Sequence, residues 1–505
     1  MFLAFNTLCT LDYVFWGICF ALFALLFQRW HRKPCPNFPL GPRGIPVLGV
    51  LPFAGNYPER KIRQWSLDTY GPVMSVRLGF NDVLFLNSYE AIQQAFVKQA
   101  NAFSGRPQIN ILQDISQNQG IIMVDHEGFH KALRLFVVQK LKQFGYGKRG
   151  MEDVCNDEID CLINRFRQKI GQRVDITTDL SIVTANVIFN LTCGRRCNTD
   201  DHRFRRCIWL VHKSFTNTDD SLYIAMLTLF DSLKYIPPFR GARERFLLYQ
   251  NELINQFKKE VNEHRNTFDP SDLRDFIDAF LLEQAKEKQI EGKNSKFTDG
   301  ELFLCVRDLF GGGVETIVTM VRWSILCLLH YTQFQDILVE EILRVLGPLG
   351  KPSMALKKDM PMMFAFLQEV YRYRPVVTLN IPHMTTEDTQ LYGYNIPKGT
   401  RVTANFWAAH FDPQIWKDPF KFDPYRHIDE EGNFVPSEKV IPFSMGPRFC
   451  LGANLGKMEV FSIFVRILQN FKIMPSSDQL PSLDEGTTMI AFSPLPFDIV
   501  LKERL

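Results

Sequence analysis

The chain has 505 residues, 46% hydrophobic and 22% charged, an ordinary globular balance with enough length to bury a large core. Its net charge of +3 leaves no nucleic-acid footprint, so no nucleic acid is expected among its partners. Eleven scattered cysteines without paired metal or redox spacing read mostly as reduced core residues of a cytosol-facing protein, and 44 phenylalanines point to an apolar, aromatic-lined interior.

The chain opens on an apolar stretch. Tyr13 to Phe27 carries no charge, Met1 to Leu11 is largely apolar, and Asp12 is the one charged interruption. Together they exceed the roughly 20 residues that a spanning helix needs. Arg29, His31, Arg32 and Lys33 follow at once, and positive charge on that side places the rest of the chain in the cytosol. A cleaved signal peptide would carry its charge before the apolar core and small residues after it. Residues 1–28 are therefore expected to be a single membrane anchor in contact with lipid. Pro34, Pro36, Pro39, Pro42 and Pro46, mixed with Gly41, Gly44 and Gly49, make 29–50 a stiff, basic connector. Residues 51–505 are expected to form one soluble body.

Within that body, Val73 to Asn87 reads as a hairpin turning at Gly79-Phe-Asn-Asp. Helical periodicity fills most of 88–375, most clearly at 151–170, 242–266, 297–330 and 334–347. Residues 390–407 and 487–502 read as strands. The expected fold class is mainly α with a small β sheet to which both ends of the chain contribute. Phe230 to Phe239, with Leu233, Tyr235, Ile236 and two prolines, is either a second membrane-dipping patch or a buried helix–helix loop.

Three stretches carry chemistry. The 297–330 helix contains Asp308-Leu-Phe-Gly311-Gly-Gly-Val-Glu315-Thr316. Three glycines in a helix interior cost about 1 kcal/mol each relative to Ala. That cost is tolerated where something approaches the backbone closely; a kink or tight helix packing explains one glycine well and three less well. Glu315-Thr316, an acid beside a hydroxyl, suits a proton relay. Glu369-Val-Tyr-Arg372 and Glu341-Ile-Leu-Arg344 share a Glu-x-x-Arg pattern too common to mean anything alone. Last comes Phe443-Ser-Met-Gly-Pro-Arg-Phe-Cys450-Leu-Gly452, a short loop ahead of a helical run from Ala453 to Leu468. Its glycines let backbone approach closely, and the N–H groups of a helix start would stabilise a thiolate. A single sulfur does not fit a tetrahedral zinc site, whereas a lone axial thiolate suits haem iron.

The spacing Phe-x-x-Gly-x-Arg-x-Cys-x-Gly resembles the haem-ligand signature of the cytochromes P-450. Gly312-Gly-Val-Glu315-Thr316 resembles that family's oxygen-activation motif, with Gly312 where Ala is frequent. The resemblance runs from the proline connector to the C-terminus. It implies the P-450 fold preceded by one transmembrane helix, haem b as cofactor, and Cys450 as the iron ligand. Thr316 would then make the hydrogen bond on the dioxygen side, and Glu315 would belong to the proton relay. Glu369 and Arg372 become a structural ion-pair network with the Phe422–His427 segment, while Glu341 is left as a solvated helix face. Haem's two propionates need cationic partners. By resemblance these are Arg448, Arg134 in the family's Trp-x-x-x-Arg with His130 where Trp is usual, His383 of Ile-Pro-His, and Arg106 of Phe-Ser-Gly-Arg. Phe310, Gly311, Gly312, Val377, Thr378, Leu379 and Ala491 are pocket candidates by position. Lys131, Lys140, Lys142, Lys148 and Arg149 form either a solvated basic face or the docking surface for an acidic reductase.

The likeness is nearest to the microsomal animal group that oxidises drugs, steroids and fatty acids. It implies a haem-thiolate monooxygenase at the endoplasmic reticulum membrane, its body facing the cytosol. One oxygen atom from O2 would enter an apolar small-molecule substrate, with electrons from NADPH through NADPH-cytochrome reductase. Two rivals stand beside it: a peroxide isomerase or dehydratase on the same fold, and a haem-binding protein without turnover. Glu315-Thr316 argues against the first, because such enzymes need no proton relay.

Overall fold

A computed structural model describes residues 16–17, 20–21, 24–25, 27–28, 30, 32–145, 149–216, 218–291, 295–488 and 490–504. Most of the expected anchor lies outside the described residues; of its apolar side chains, Trp16, Phe20, Leu25 and Phe27 are exposed. The chain folds as two compact units, residues 1–107 with 381–405, and residues 108–380 with 406–505.

In the first unit, the expected hairpin forms from Val73–Leu78 and Asn81–Leu86, paired antiparallel. Its turn is only Gly79-Phe80, tighter than the sequence suggests, and Gly79 takes the left-handed φ of +59° that favours glycine. Asn81 and Asp82 consequently join the second strand. Asp82 faces Arg77 across the ladder and pairs with it at 2.6 Å. Arg401–Ala404 lies parallel to Asn81–Leu86, and His383–Met384 completes a four-stranded sheet. Val76, Leu84, Leu86 and Val402 are buried on it.

The second unit is mainly helical. Its axis is the 32-residue helix Asp299–His330, capped by the Thr298 side chain accepting from the Glu301 N–H. By length and composition it is apolar enough to cross a membrane, but its residues are mostly buried within the unit. Around it pack Thr177–Cys193, Ala453–Asn470, Pro237–Asn266 and His202–Thr216. The expected helices at 151–170, 242–266 and 334–347 are observed as Arg149–Arg167, Pro237–Asn266 and Gln333–Leu346.

The strands of this unit correct one expectation. Ile499–Glu503 pairs with Phe471–Pro475 and Arg173–Val174, and Gly486–Thr488 pairs with Phe492–Pro494. The C-terminal strands thus build their own sheets, and the hairpin near the start of the chain pairs instead with residues 383–404. Arg173–Val174 is too short for its period to show in sequence.

Glu341 corrects another. It is buried rather than solvated, and its carboxylate accepts the N–H groups of Met362 and Met363 at 2.9 and 2.8 Å. These are orphan donors at the start of helix Pro361–Tyr373, where an anion is favoured.

Candidate active site

The thiol loop is shaped by its backbone. Gly446 sits at φ +72° and opens a 3-10 turn, Gly446–Arg448, and the Cys450 N–H reaches back to the Phe443 carbonyl at 2.9 Å. That loop delivers Cys450 to accessible surface just ahead of helix Ala453–Asn470. Protein still crowds the sulfur. Burial pushes the thiol up, opposed by the Gly452 N–H and the Arg134 charge. The expected donors are therefore present but outweighed, and a metal cation would tip the balance to thiolate.

Two guanidiniums stand beside the sulfur. Arg134, from helix Gly128–Gln143, donates to the Phe449 carbonyl, and Arg448 donates to the Val124 carbonyl. Burial lowers both, and they repel each other; Arg448 falls to about 10 despite Asp125 nearby. One accessible sulfur beside two desolvated, mutually repelling cations is a donor set that fits a metal carrying anionic groups, as haem with its propionates does.

His130 lies one turn before Arg134 and is buried. Its Nε2–H donates to the Ile121 carbonyl at 3.1 Å, and burial together with Arg448 pushes the ring down to about 3. The neutral ring spends its one N–H there, leaving Nδ1 buried without a partner among the described residues. It donates to a propionate only when doubly protonated, a form that neighbouring carboxylates favour.

The oxygen-side motif follows helix geometry. A Cβ at Gly313 would come within 2.6 Å of Ile188 Cδ1 on helix Thr177–Cys193, so this glycine permits close helix packing. At Gly311 and Gly312 a Cβ would meet nothing within 4 Å. These two keep a helix face open, and Thr316 stands one turn further on, its hydroxyl held by the Gly312 carbonyl at 2.7 Å. A Cβ on Gly456, in the helix after the thiol, would lie 3.9 Å from Ile317 Cγ1. The Glu315-Thr316 turn therefore runs beside the helix that follows Cys450. Phe310 faces away, fully buried against Phe189 and Phe257; it is core and not pocket wall.

Sequence reasoning missed three residues here. His212, on helix His202–Thr216, places Nδ1 3.1 Å from Glu315 Oε2. Glu301 and Asp308 accept the N–H groups of Gly120 and Ile121 at 2.7 and 2.9 Å, pinning the segment that receives the His130 N–H. Burial raises both carboxyls, Glu301 to about 7. The acidic positions on the glycine helix were visible, but their partners lie far along the chain.

Glu369 behaves as expected. It accepts from Arg372 at 2.7 and 2.8 Å, from Arg426 at 3.1 Å and from the Asp423 N–H at 3.0 Å, with His427 3.1 Å away. Hydrogen bonds from Arg372 and His427 overcome burial and hold its carboxyl at about 2.

Arg106 and His383 belong to the first unit, where both are buried. Arg106 donates to the Ile381 and Pro382 carbonyls at 3.0 and 2.9 Å. His383 donates from Nδ1 to the Phe103 carbonyl at 2.7 Å and stacks on Phe96 at 4.1 Å. Of the basic face, Lys131 and Lys142 are exposed and Lys140 is half-buried; Lys148 and the Arg149 side chain lie outside the described residues.

The family model for cytochrome P450 matches residues 39–501. Cytochrome P450 2B2 of Rattus norvegicus is 34% identical, over 89% of this chain and 91% of that protein. Cytochrome P450 2D6 of Homo sapiens is 31% identical, over 97% and 98%, and cytochrome P450 2U1 of Bos taurus 30%, over 96% and 92%. With the thiol loop, the paired guanidiniums and the glycine helix in place, these likenesses settle the assignment: the chain belongs to the cytochrome P450 family of monooxygenase oxidoreductases, which bind haem b.

Proposed function

We propose that this chain inserts one oxygen atom from O2 into an apolar organic substrate, a lipid, steroid or xenobiotic, with electrons from NADPH through NADPH-cytochrome reductase. The observation that carries this reading is the accessible Cys450 thiol beside Arg134 and Arg448, alongside the helix that holds Glu315 and Thr316. Cys450 would ligate iron. Arg448 and Arg134, with His130, would hold the propionates. When bound, haem supplies the oxygen-cleaving chemistry, with the thiolate's electron push. The chain's own residues would orient the substrate over the open Gly311-Gly312 face and hold a proton at Thr316 Oγ1 and the Glu315 carboxyl.

Residues 1–28 would anchor the protein once in the endoplasmic reticulum membrane, and 51–505 would face the cytosol. Tyr235 and Ile236 are exposed while Leu233 and Phe239 turn inward against Ile224 and Phe246, which supports a second membrane contact at this tip. Lys131, Lys140 and Lys142 would receive the reductase. The test is the carbon monoxide difference spectrum of the reduced protein, followed by NADPH and O2 consumption with reductase. A strongly red-shifted Soret band with coupled uptake of both is expected. A band typical of His-ligated haem overturns the thiolate assignment. A thiolate band with no NADPH use overturns the monooxygenase.

A further inference from the structure

Glu315 is 1% exposed, deep enough that its carboxyl has no direct route to water. One of its oxygens, Oε2, meets His212 Nδ1 at 3.1 Å; the other, Oε1, is buried without a partner among the described residues. His212 is different: its side chain is 38% exposed, on a helix that packs across the glycine helix. An imidazole with one nitrogen on a buried carboxyl and its ring half in water has the form of a proton conduit. Arg322, further along the same helix, also feels the charge of this carboxyl.

The contact is not alone in tying the two helices together. Arg307 donates to Gln250 at 3.2 Å, and Gln250 donates to Ser214 at 2.8 Å, tying the same helices together through helix Pro237–Asn266. His212 is thus free for a role other than holding register.

We propose that His212 is the positioning residue through which solvent protons reach Glu315. This rests on the monooxygenase reading above, whose chemistry consumes protons. The exchange is balanced: one proton binds Nε2 from water, and one leaves Nδ1 for Oε2, so an N–H bond breaks as an O–H bond forms and no electrons move. A half-turn of the carboxyl presents that proton on the Oε1 side. Passing it inward restores the carboxylate; with the half-exposed ring turned outward, one water protonates Nδ1 and another takes the Nε2 proton, which restores the Nδ1–H tautomer.

The test uses the full-length holoprotein with reductase and NADPH, with dodecanoic acid as an apolar probe. Its first readout is hydrogen peroxide formed per NADPH, which does not require the natural substrate. In His212→Asn the amide nitrogen replaces Nδ1 and keeps the hydrogen bond, but no second titratable nitrogen remains. Peroxide per NADPH is expected to rise on the order of tenfold in both His212→Asn and His212→Ala. Thr316→Ala is the comparison, because loss of its hydroxyl should raise the same ratio. The second readout is independent of turnover: in 15N-histidine protein with carbon monoxide on the reduced haem, a hydrogen-bonded His212 imidazole N–H is expected, and it should vanish in both His212→Asn and Glu315→Ala, which leaves no acceptor. A wild-type peroxide ratio in His212→Asn, or an N–H signal unchanged in Glu315→Ala, overturns the relay while leaving the monooxygenase intact. Absence of a thiolate-type spectrum or of NADPH use in the wild type overturns both.

Discussion

Two buried charged clusters in the same unit are built in opposite ways. Around Glu369, Arg372, Arg426, His427 and a backbone N–H all converge on one carboxylate, and its acidity deepens to about 2. Around Cys450, Arg134 and Arg448 lean on backbone carbonyls and repel each other. Hydrogen bonds overcome desolvation in the first cluster, whereas in the second desolvation prevails and lowers both guanidiniums. A buried charge set that closes on itself holds a fold; one that stays cationic beside an accessible sulfur is made for an anionic, metal-bearing ligand.

The sharpest break is Cys450→Ser. It should abolish the red-shifted carbon monoxide band and NADPH-driven turnover while circular dichroism stays that of the wild type; retained turnover would end the site assignment. Next comes Arg372→Ala, which leaves Glu369 charged, buried and short of its main donor. A loss of about 3–5 kcal/mol in denaturant unfolding is expected. The depressed carboxyl gives a pH signature. Its contribution is present above the ordinary carboxylate range and is lost as pH falls toward about 2, so acid unfolding of the milder Arg426→Ala should begin at higher pH than in the wild type.

Arg134→Ala should do the reverse of Arg372→Ala. Removing one of two repelling cations should leave apoprotein stability within about 1 kcal/mol, yet weaken haem retention by about 10- to 100-fold in a transfer assay to apomyoglobin. Equal haem retention would mean that the guanidinium serves the loop alone. The smallest effect contrasts two neighbouring glycines. Gly313→Ala drives a methyl into Ile188, with an overpacking cost of about 1–3 kcal/mol partly offset by helix propensity. Gly312→Ala meets open space and should gain about 1 kcal/mol from propensity while shrinking the pocket. Thermal unfolding of the two variants reads the difference.

What the sequence by itself determined was local in the chain. The Cys450 loop, the Glu315-Thr316 pair and the Val73 hairpin each sit within a short stretch, so fixed spacing and alternation reveal them. The Glu369 network was legible only through family resemblance, because its Arg426 and His427 partners come from a distant segment. Tertiary structure alone decided the rest. It made Glu341 a buried helix cap, sent Phe310 into the core, divided the roles of three identical glycines, and put His212 on Glu315. Periodicity tells which side of a helix is apolar, but not which helix it will meet. A side chain's partner depends on contacts between segments far apart in the chain, and those are fixed only when the helices pack.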